Sequence, residues 1–264
     1  MPFAKVNEID LYYEVHGKGN PLVFLSGFST HHMSWLSFVE DFQNDFQVIL
    51  LDNRGAGQSS APQGDYTIEM MASDTLALLD HLNIKKAGFV GSSMGTAIVQ
   101  TIAYLAPERF EKGVLIAPFH QLPHPSLLKI ITTGKLMAAK VPIELVVETA
   151  IPWLFGSDFV AHPEKFRKKQ EEMVKNPYPQ TAEGFMGQFA ALKEFDSSPF
   201  LEKMEGEFLL LAGEEDLSSP IWCAKTLQQK LKRATLHSFP RTGHMVHVEK
   251  RNEVISLMKK FFAI

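Results

Sequence analysis

The sequence holds a single cysteine, Cys223, among 264 residues. One thiol cannot form an intrachain disulfide, so the chain depends on a buried core, and a reducing, cytoplasmic setting is expected. A long apolar run is also missing. The nearest candidate, Leu136 to Gly156, contains Lys140, Glu144 and Glu148 and is broken by Pro142 and Pro152. A bilayer-spanning helix needs about 18 or more apolar residues in succession, so no stable membrane insertion is expected. The first residues, Met1-Pro2-Phe3-Ala4-Lys5-Val6, show no basic stretch leading into an apolar one, and no secretory signal is expected. Neither sign of charge dominates: 26 Lys and Arg stand against 30 Asp and Glu, a net charge of −4. That balance argues against a nucleic-acid partner, whose grip on phosphates needs concentrated Lys and Arg. What is present is apolar material, 45% of the chain, enough for one large domain or one domain with an insertion.

Short apolar runs alternate with helical patterns in the first half. Leu22–Leu25, Val48–Leu51, Gly88–Val90 and Val114–Ala117 each end at a turn. Continuous apolar strands are expected where both faces of a sheet are covered, as in parallel sheets. Between them, Ile68, Ala72, Thr75, Leu76 and Leu79 form one helical stripe, and Ala97, Ile98, Thr101, Ile102 and Leu105 form another that Pro107 stops. Strand–helix repetition of this kind predicts an α/β fold with a mostly parallel sheet. From about Phe119 to Met204 no strand is evident, and helices are expected over 127–139, 142–155, 159–176 and 181–195. The alternation then returns with a strand at Phe208–Ala212, a helix at Ile221–Leu231, a strand at Thr235–Phe239 and a final helix carrying Val254, Leu257, Met258 and Phe261. The expected organisation is a core built from 1–119 and 204–264, interrupted by a helical segment over 120–203.

The sharpest motif is Gly91-Ser92-Ser93-Met94-Gly95, which follows a strand directly and opens a helix. That is the setting of a G-x-S-x-G nucleophile elbow. A Cβ at either glycine would press on the neighbouring strand or helix. The turn lifts the Ser93 hydroxyl above the sheet edge and points the Met94 backbone N–H at the same space. A serine hydroxyl needs a base within hydrogen-bond reach. Of the 10 histidines, His244 lies in the loop after the last expected strand, at the sheet edge where Ser93 emerges. An acid from a neighbouring strand end must orient that base. Gly213-Glu214-Glu215-Asp216 follows the strand at Phe208–Ala212, and Asp216 is selected by the Gly-x-x-Asp spacing ahead of Pro220, with Glu214 and Glu215 as alternatives. His120, His124 and His247 offer no metal-site spacing, Gly55-Ala56-Gly57 lacks the third glycine of a dinucleotide loop, and Gly134-Lys135 is not a P-loop. No metal and no cofactor are expected.

Taken together, these residues resemble the α/β-hydrolase superfamily, specifically its capped esterase and 3-oxoadipate enol-lactonase-like branch. The order Ser93, Asp216, His244 is the order of that fold. Ser26-Gly27-Phe28 with Trp35 is similar to the H-G-x…W segment, and Asp52-Asn53-Arg54-Gly55-Ala56-Gly57-Gln58-Ser59 is similar to the D-x-R-G-x-G-x-S turn, a structural loop in the family. Gly243-His244 with Glu249 is similar to the histidine loop, and Asn176-Pro177 with Gln188, Ala191 and Asp196 to the last cap helices. One residue departs: Ser26 stands where the family usually has a histidine that braces the loop.

The resemblance implies an α/β-hydrolase fold, a mostly parallel sheet flanked by helices, with residues 120–203 as a helical cap. It implies a Ser93–His244–Asp216 triad, an oxyanion hole from the backbone N–H groups of Phe28 and Met94, and cleavage of a small, partly apolar ester, lactone or thioester. Trp153, Phe155, Phe185, Phe189, Phe119 and Met245 are the expected substrate-lining residues. Serine at the elbow excludes dehalogenases and epoxide hydrolases, which place aspartate there. A carbon–carbon bond hydrolase, a cofactor-free haloperoxidase, an acyltransferase and a low-turnover small-molecule receptor stay compatible with the arrangement.

Overall fold

Burial along the strands separates the middle of the sheet from its edges. The computed structural model describes residues 2–263. Among them, eight strands form one sheet: β1 (Phe3–Val6), β2 (Ile9–His16), β3 (Asn20–Leu25), β4 (Phe46–Leu51), β5 (Ala87–Ser92), β6 (Phe110–Ile116), β7 (Glu207–Gly213) and β8 (Ala234–Phe239). Their order is β1-β2-β4-β3-β5-β6-β7-β8. Pairing is antiparallel for β1–β2 and β2–β4 and parallel from β4 to β8. Every residue of β5 is buried, whereas the edge strand β1 alternates exposed and buried positions and β8 buries only its last residue, Phe239. A strand covered on both faces needs an unbroken apolar run, and an edge strand does not.

The two faces carry separate cores, because neighbouring side chains of a strand point in opposite directions. Leu22 and Phe24 face α1 (Leu36–Phe42) and α11 (Arg251–Phe262), where Trp35, Phe38, Phe42 and Met258 are buried. Val23 and Leu25 face α2 (Ile68–His81), α3 (Met94–Leu105) and α9 (Ile221–Lys230). Ala97, Ile98, Thr101 and Ile102 are buried along α3, but Leu105, its last residue, is 56% exposed. Thr67 caps α2 by accepting the Met70 N–H at 3.1 Å.

Between β6 and β7 the chain forms α4 (His124–Ala138), α5 (Ile143–Leu154), α6 (Ser157–Val160), α7 (Pro163–Val174) and α8 (Ala182–Glu194). The helix expected over 159–176 is two helices. Pro163 at the first turn of α7 has no N–H to continue α6, yet suits the start of a new helix. The inserted helices meet the core at two seams where backbone touches backbone. A Cβ on Gly184 of α8 would lie 2.1 Å from the Gly55 carbonyl oxygen. A Cβ on Gly156, after α5, would lie 2.6 Å from the Gly243 nitrogen. Hydrogen bonds reinforce both places: Gln188 Nε2 donates to the Arg54 carbonyl at 2.9 Å, and the Met245 N–H donates to the Leu154 carbonyl at 2.9 Å. The remaining helix, α10 (Val246–Glu249), follows the loop after β8. None of the described helices is long and apolar enough to cross a membrane.

Candidate active site

Ser93 sits between β5 and α3 with φ 52° and ψ −118°, a conformation that L-residues rarely adopt. Its surroundings hold it there. The Ser93 N–H donates to the Ile116 carbonyl at 2.9 Å, and its carbonyl accepts from the Thr96 N–H at 2.8 Å and Thr96 Oγ1 at 2.7 Å. The flanking glycines are required by space. A Cβ on Gly91 would meet the Gly95 carbonyl at 2.5 Å, and one on Gly95 would meet the Leu25 oxygen at 2.2 Å. The first is the start of the helix and the second is the neighbouring strand, so neither can yield.

Asp216 and His244 come from the loops after β7 and β8, at the same edge of the parallel sheet. Both are buried. Asp216 Oδ1 accepts the N–H groups of Ser218 and Ser219 at 2.7 and 2.9 Å, which aims the other oxygen, Oδ2, at His244 Nδ1, 2.8 Å away. A carboxylate only accepts, so Nδ1 carries a proton, and in the neutral imidazole Nε2 is the nitrogen with the free lone pair. Ser219 Oγ lies 3.2 Å from the same Nδ1 and donates to the Ala117 carbonyl at 3.0 Å. The alternative carboxylates are committed elsewhere. Glu214 accepts from Ser238 Oγ at 2.7 Å, and Glu215 accepts the Ser157 N–H at 2.6 Å.

Ser93 and His244 line one cavity of about 100 Å³. No hydrogen bond ties Ser93 Oγ to another described residue, which leaves the hydroxyl available to the cavity. Gly27, Phe28 and Ser34 form one wall, and Leu122, Ile130, Leu154 and Leu192 supply an aliphatic one. Of the six side chains expected to line the site, Met245 does so. The five aromatics lie outside the cavity lining. Phe119 packs edge-on to Phe195 at 6.0 Å, Phe155 stacks on Phe159 at 4.7 Å, and Phe185 meets Phe28 edge-on at 5.0 Å. Phe189 packs on the main core, and the Trp153 carbonyl accepts from Ser218 Oγ at 2.9 Å. The four phenylalanine rings are used in packing, and apart from Phe28 the apolar lining of the cavity is aliphatic or methionine.

The amides of Phe28 and Met94 donate to no acceptor among the described residues. The loop before Phe28 is braced without the usual histidine. Asn53 Nδ2 donates to the Ser26 carbonyl at 3.0 Å, Thr30 Oγ1 donates to the Gly27 carbonyl at 2.9 Å, and the Ser29 N–H donates to Gln188 Oε1 at 3.1 Å. Ser26 Oγ lies 3.3 Å from Ser34 Oγ.

Four further groups near the site have shifted pKa values. His247 also lines the cavity and stacks on Trp35 with ring centroids 4.8 Å apart; burial, with a smaller push from Lys169 and then His244, drives its pKa down to about 3. Burial pushes the Glu249 carboxyl up to about 7, against the opposing effect of the Gly156 and Gly243 N–H groups it accepts. Lys129 of α4 lines the cavity, and burial lowers its pKa. Spacing along the sequence did not single it out, although Ser126, Lys129 and Ile130 share one face of a helix. Cys223 is buried, its thiol pushed up to about 12, and so carries no nucleophilic role.

Among the described residues, one cluster could offer metal ligands: His31, His32 and Asp52, with ligand atoms within 4.8 Å of one another. Its groups already serve one another. His32 Nδ1 donates to Asp52 Oδ1 at 2.9 Å, Asp52 also accepts the N–H groups of His32 and Gln58, and His31 Nε2 donates to Asn176 Oδ1 at 2.8 Å. This is a hydrogen-bonded brace beneath the loop of Ser26.

Comparison with known proteins agrees with this fold. The family model described as the alpha/beta hydrolase fold matches residues 20–139. A 3-oxoadipate enol-lactonase 2 of Acinetobacter baylyi is 30% identical over 269 residues, covering 96% of this chain and 95% of the relative. Among solved structures, MGS-M2, an alpha/beta hydrolase enzyme from a Medee basin deep-sea metagenome library, superposes with a TM-score of 0.91 at 25% identity, covering 99% of this chain and 97% of the other. The enol-lactonase from Burkholderia xenovorans LB400 shares the fold with a TM-score of 0.87 at 23% identity, each chain covered over 100%. The chain belongs to the α/β-hydrolase fold family. Its relatives support a hydrolytic activity.

Proposed function

We propose that this protein is a serine hydrolase that cleaves a carboxylic ester, lactone or thioester of a small, partly apolar substrate. The observation that carries the reading is the 2.8 Å contact from His244 Nδ1 to Asp216 Oδ2, made by an imidazole that lines the same cavity as the strained Ser93. Ser93 Oγ attacks the carbonyl carbon while His244 Nε2 takes its proton. Asp216 fixes the tautomer and stabilises the imidazolium. The N–H groups of Phe28 and Met94, which have no other acceptor, stabilise the oxyanion. Collapse of the tetrahedral species expels the leaving oxygen or sulfur, which receives the proton from His244. Water, deprotonated by His244, then cleaves the acyl-enzyme and returns Ser93 to its hydroxyl form. The inserted helices act as a cap over this cavity, and its small volume favours compact substrates.

A fluorophosphonate probe tests the nucleophile. Wild type becomes labelled at Ser93 and Ser93→Ala does not; a labelled alanine variant removes Ser93 from the role. Asp216→Asn keeps the fold and loses activity on short-chain esters, lactones or acyl thioesters by about 10⁴-fold, because the neutral amide no longer fixes the productive tautomer. Full activity in that variant would rule out Asp216 as the orienting acid.

A further inference from the structure

The cavity that holds Ser93 contains a lysine with no counter-ion. Pro123 precedes α4, and Ser126 Oγ donates to the Ser218 carbonyl at 2.6 Å, pinning the start of this helix beside the Asp216 loop. Residues three and four apart share a helix face. Ser126, Lys129 and Ile130 accordingly all line the cavity. The titratable residues of that lining are Lys129, His244 and His247; among the described residues no Asp or Glu contributes to it. Lys129 Nζ makes no ion pair and no hydrogen bond with any described residue.

An ammonium group half-withdrawn from water beside an aliphatic wall is costly unless an anion or a set of acceptors faces it. The lowered pKa of Lys129 reflects that cost, and burial is its cause. The fold offers no compensating carboxylate within the cavity. Arg54, by contrast, donates to both carboxylate oxygens of Asp74 at 2.6 and 2.7 Å. The same helix sends its other lysine, Lys135, to solvent.

We infer that Lys129 is the counter-charge for a carboxylate borne by the substrate, so the preferred substrates are short esters or lactones with a free carboxylate on the acyl side of the scissile bond. The inference rests on the serine-hydrolase reading of the same cavity. Binding places the anion against the Lys129 ammonium while the reacting carbonyl lies at Ser93, and the aliphatic wall of Leu122, Ile130, Leu154 and Leu192 covers the methylenes between them. The lysine touches no bond that forms or breaks; its role is to orient and select.

The test compares monomethyl esters of succinate, glutarate and adipate with the matching neutral methyl esters that end in a carboxamide. Wild type prefers the carboxylate form in kcat/KM by about tenfold to a hundredfold, the range for a hydrogen bond to a charged group. In Lys129→Met, which keeps the aliphatic stem, that ratio falls to near one. Lys129→Arg retains the preference and Lys129→Glu reverses it. Binding is read independently of turnover by titrating Ser93→Ala with glutarate in a calorimeter. Glutarate binds that variant and fails to bind Ser93→Ala/Lys129→Met, with both melting at similar temperatures. Turnover of both ester series with a ratio near one in wild type overturns the inference and leaves the hydrolase reading standing. Absence of turnover and of Ser93 labelling, with glutarate still bound through Lys129, overturns the hydrolase reading instead.

Discussion

Glu249 holds the Gly243 amide at 3.0 Å, one residue before His244. Its second carboxylate oxygen accepts the Gly156 N–H at 3.1 Å, at the end of α5. One side chain therefore ties the histidine loop to the inserted helices.

The pKa of Glu249 gives this tie a pH dependence. Burial raises the carboxyl from its ordinary 4.5 to about 7. The folded state therefore binds this proton more tightly than the unfolded chain does. The stability so contributed is complete below about 4.5 and is lost as the pH rises through about 7. Thermal melts of wild type and Glu249→Gln across this interval are expected to diverge, with wild type losing ground as the pH rises. Parallel curves would show that Glu249 does not titrate in the folded protein.

His247 works in the opposite direction. Its pKa is pushed down from 6.5 to about 3, so the folded state keeps a neutral imidazole while the unfolded chain takes up a proton. Stability is full above 6.5 and drains by about 1.4 kcal/mol per pH unit on acidification toward 3. His247→Phe retains a ring against Trp35 and removes the titration. Its acid-side loss of stability is expected to be shallower than that of wild type in urea denaturation at graded pH, and an equal slope would contradict the assignment.

Gly95→Ala places a methyl group 2.2 Å from the Leu25 carbonyl oxygen, a backbone atom that cannot rotate away. The expected cost is about 1–3 kcal/mol or more, by analogy with overpacked cores. Fluorophosphonate labelling of Ser93 should fall with it, since the elbow must shift to make room. Calorimetric melting together with probe labelling measures both, and a variant that melts and labels like wild type would refute the packing argument.

Asn53 anchors the Ser26 carbonyl at 3.0 Å and so steadies the segment that leads to the Phe28 amide. Asn53→Ala is expected to lower kcat about tenfold while leaving KM nearly unchanged, because a displaced donor weakens transition-state stabilisation more than substrate binding. A rise in KM at constant kcat would assign Asn53 to substrate binding instead.

The strands β3 to β7 were legible in the sequence because burial on both faces demands unbroken apolar runs. The hairpin of β1 and β2 was not. Its turn, Asn7-Glu8, takes φ values of 44° and 65° without a glycine to announce them, and Asp10 and Glu14 interrupt the apolar pattern of β2. The elbow and the two loops that bring Asp216 to His244 could be read from motif and chain order. The cavity wall could not. The expected lining was mostly aromatic, but which side chains face a cavity depends on how α4, α5 and α8 dock, and the expected phenylalanine rings are used in packing. Lys129 left only a faint trace, a cation sharing a helical face with Ile130.

A helical insertion riveted at Gly55–Gly184 and again at Gly156–Gly243 does not swing like a door. A rigid swing of the inserted helices would part both rivets together, breaking the Gln188–Arg54 and Met245–Leu154 bonds in the same motion. Ligand traffic is then left to local rearrangement of segments away from the rivets, such as α4, whose Lys129 lines the cavity. On the hydrolase reading proposed above, an entrance of that kind would admit slender molecules and turn away polymer chains.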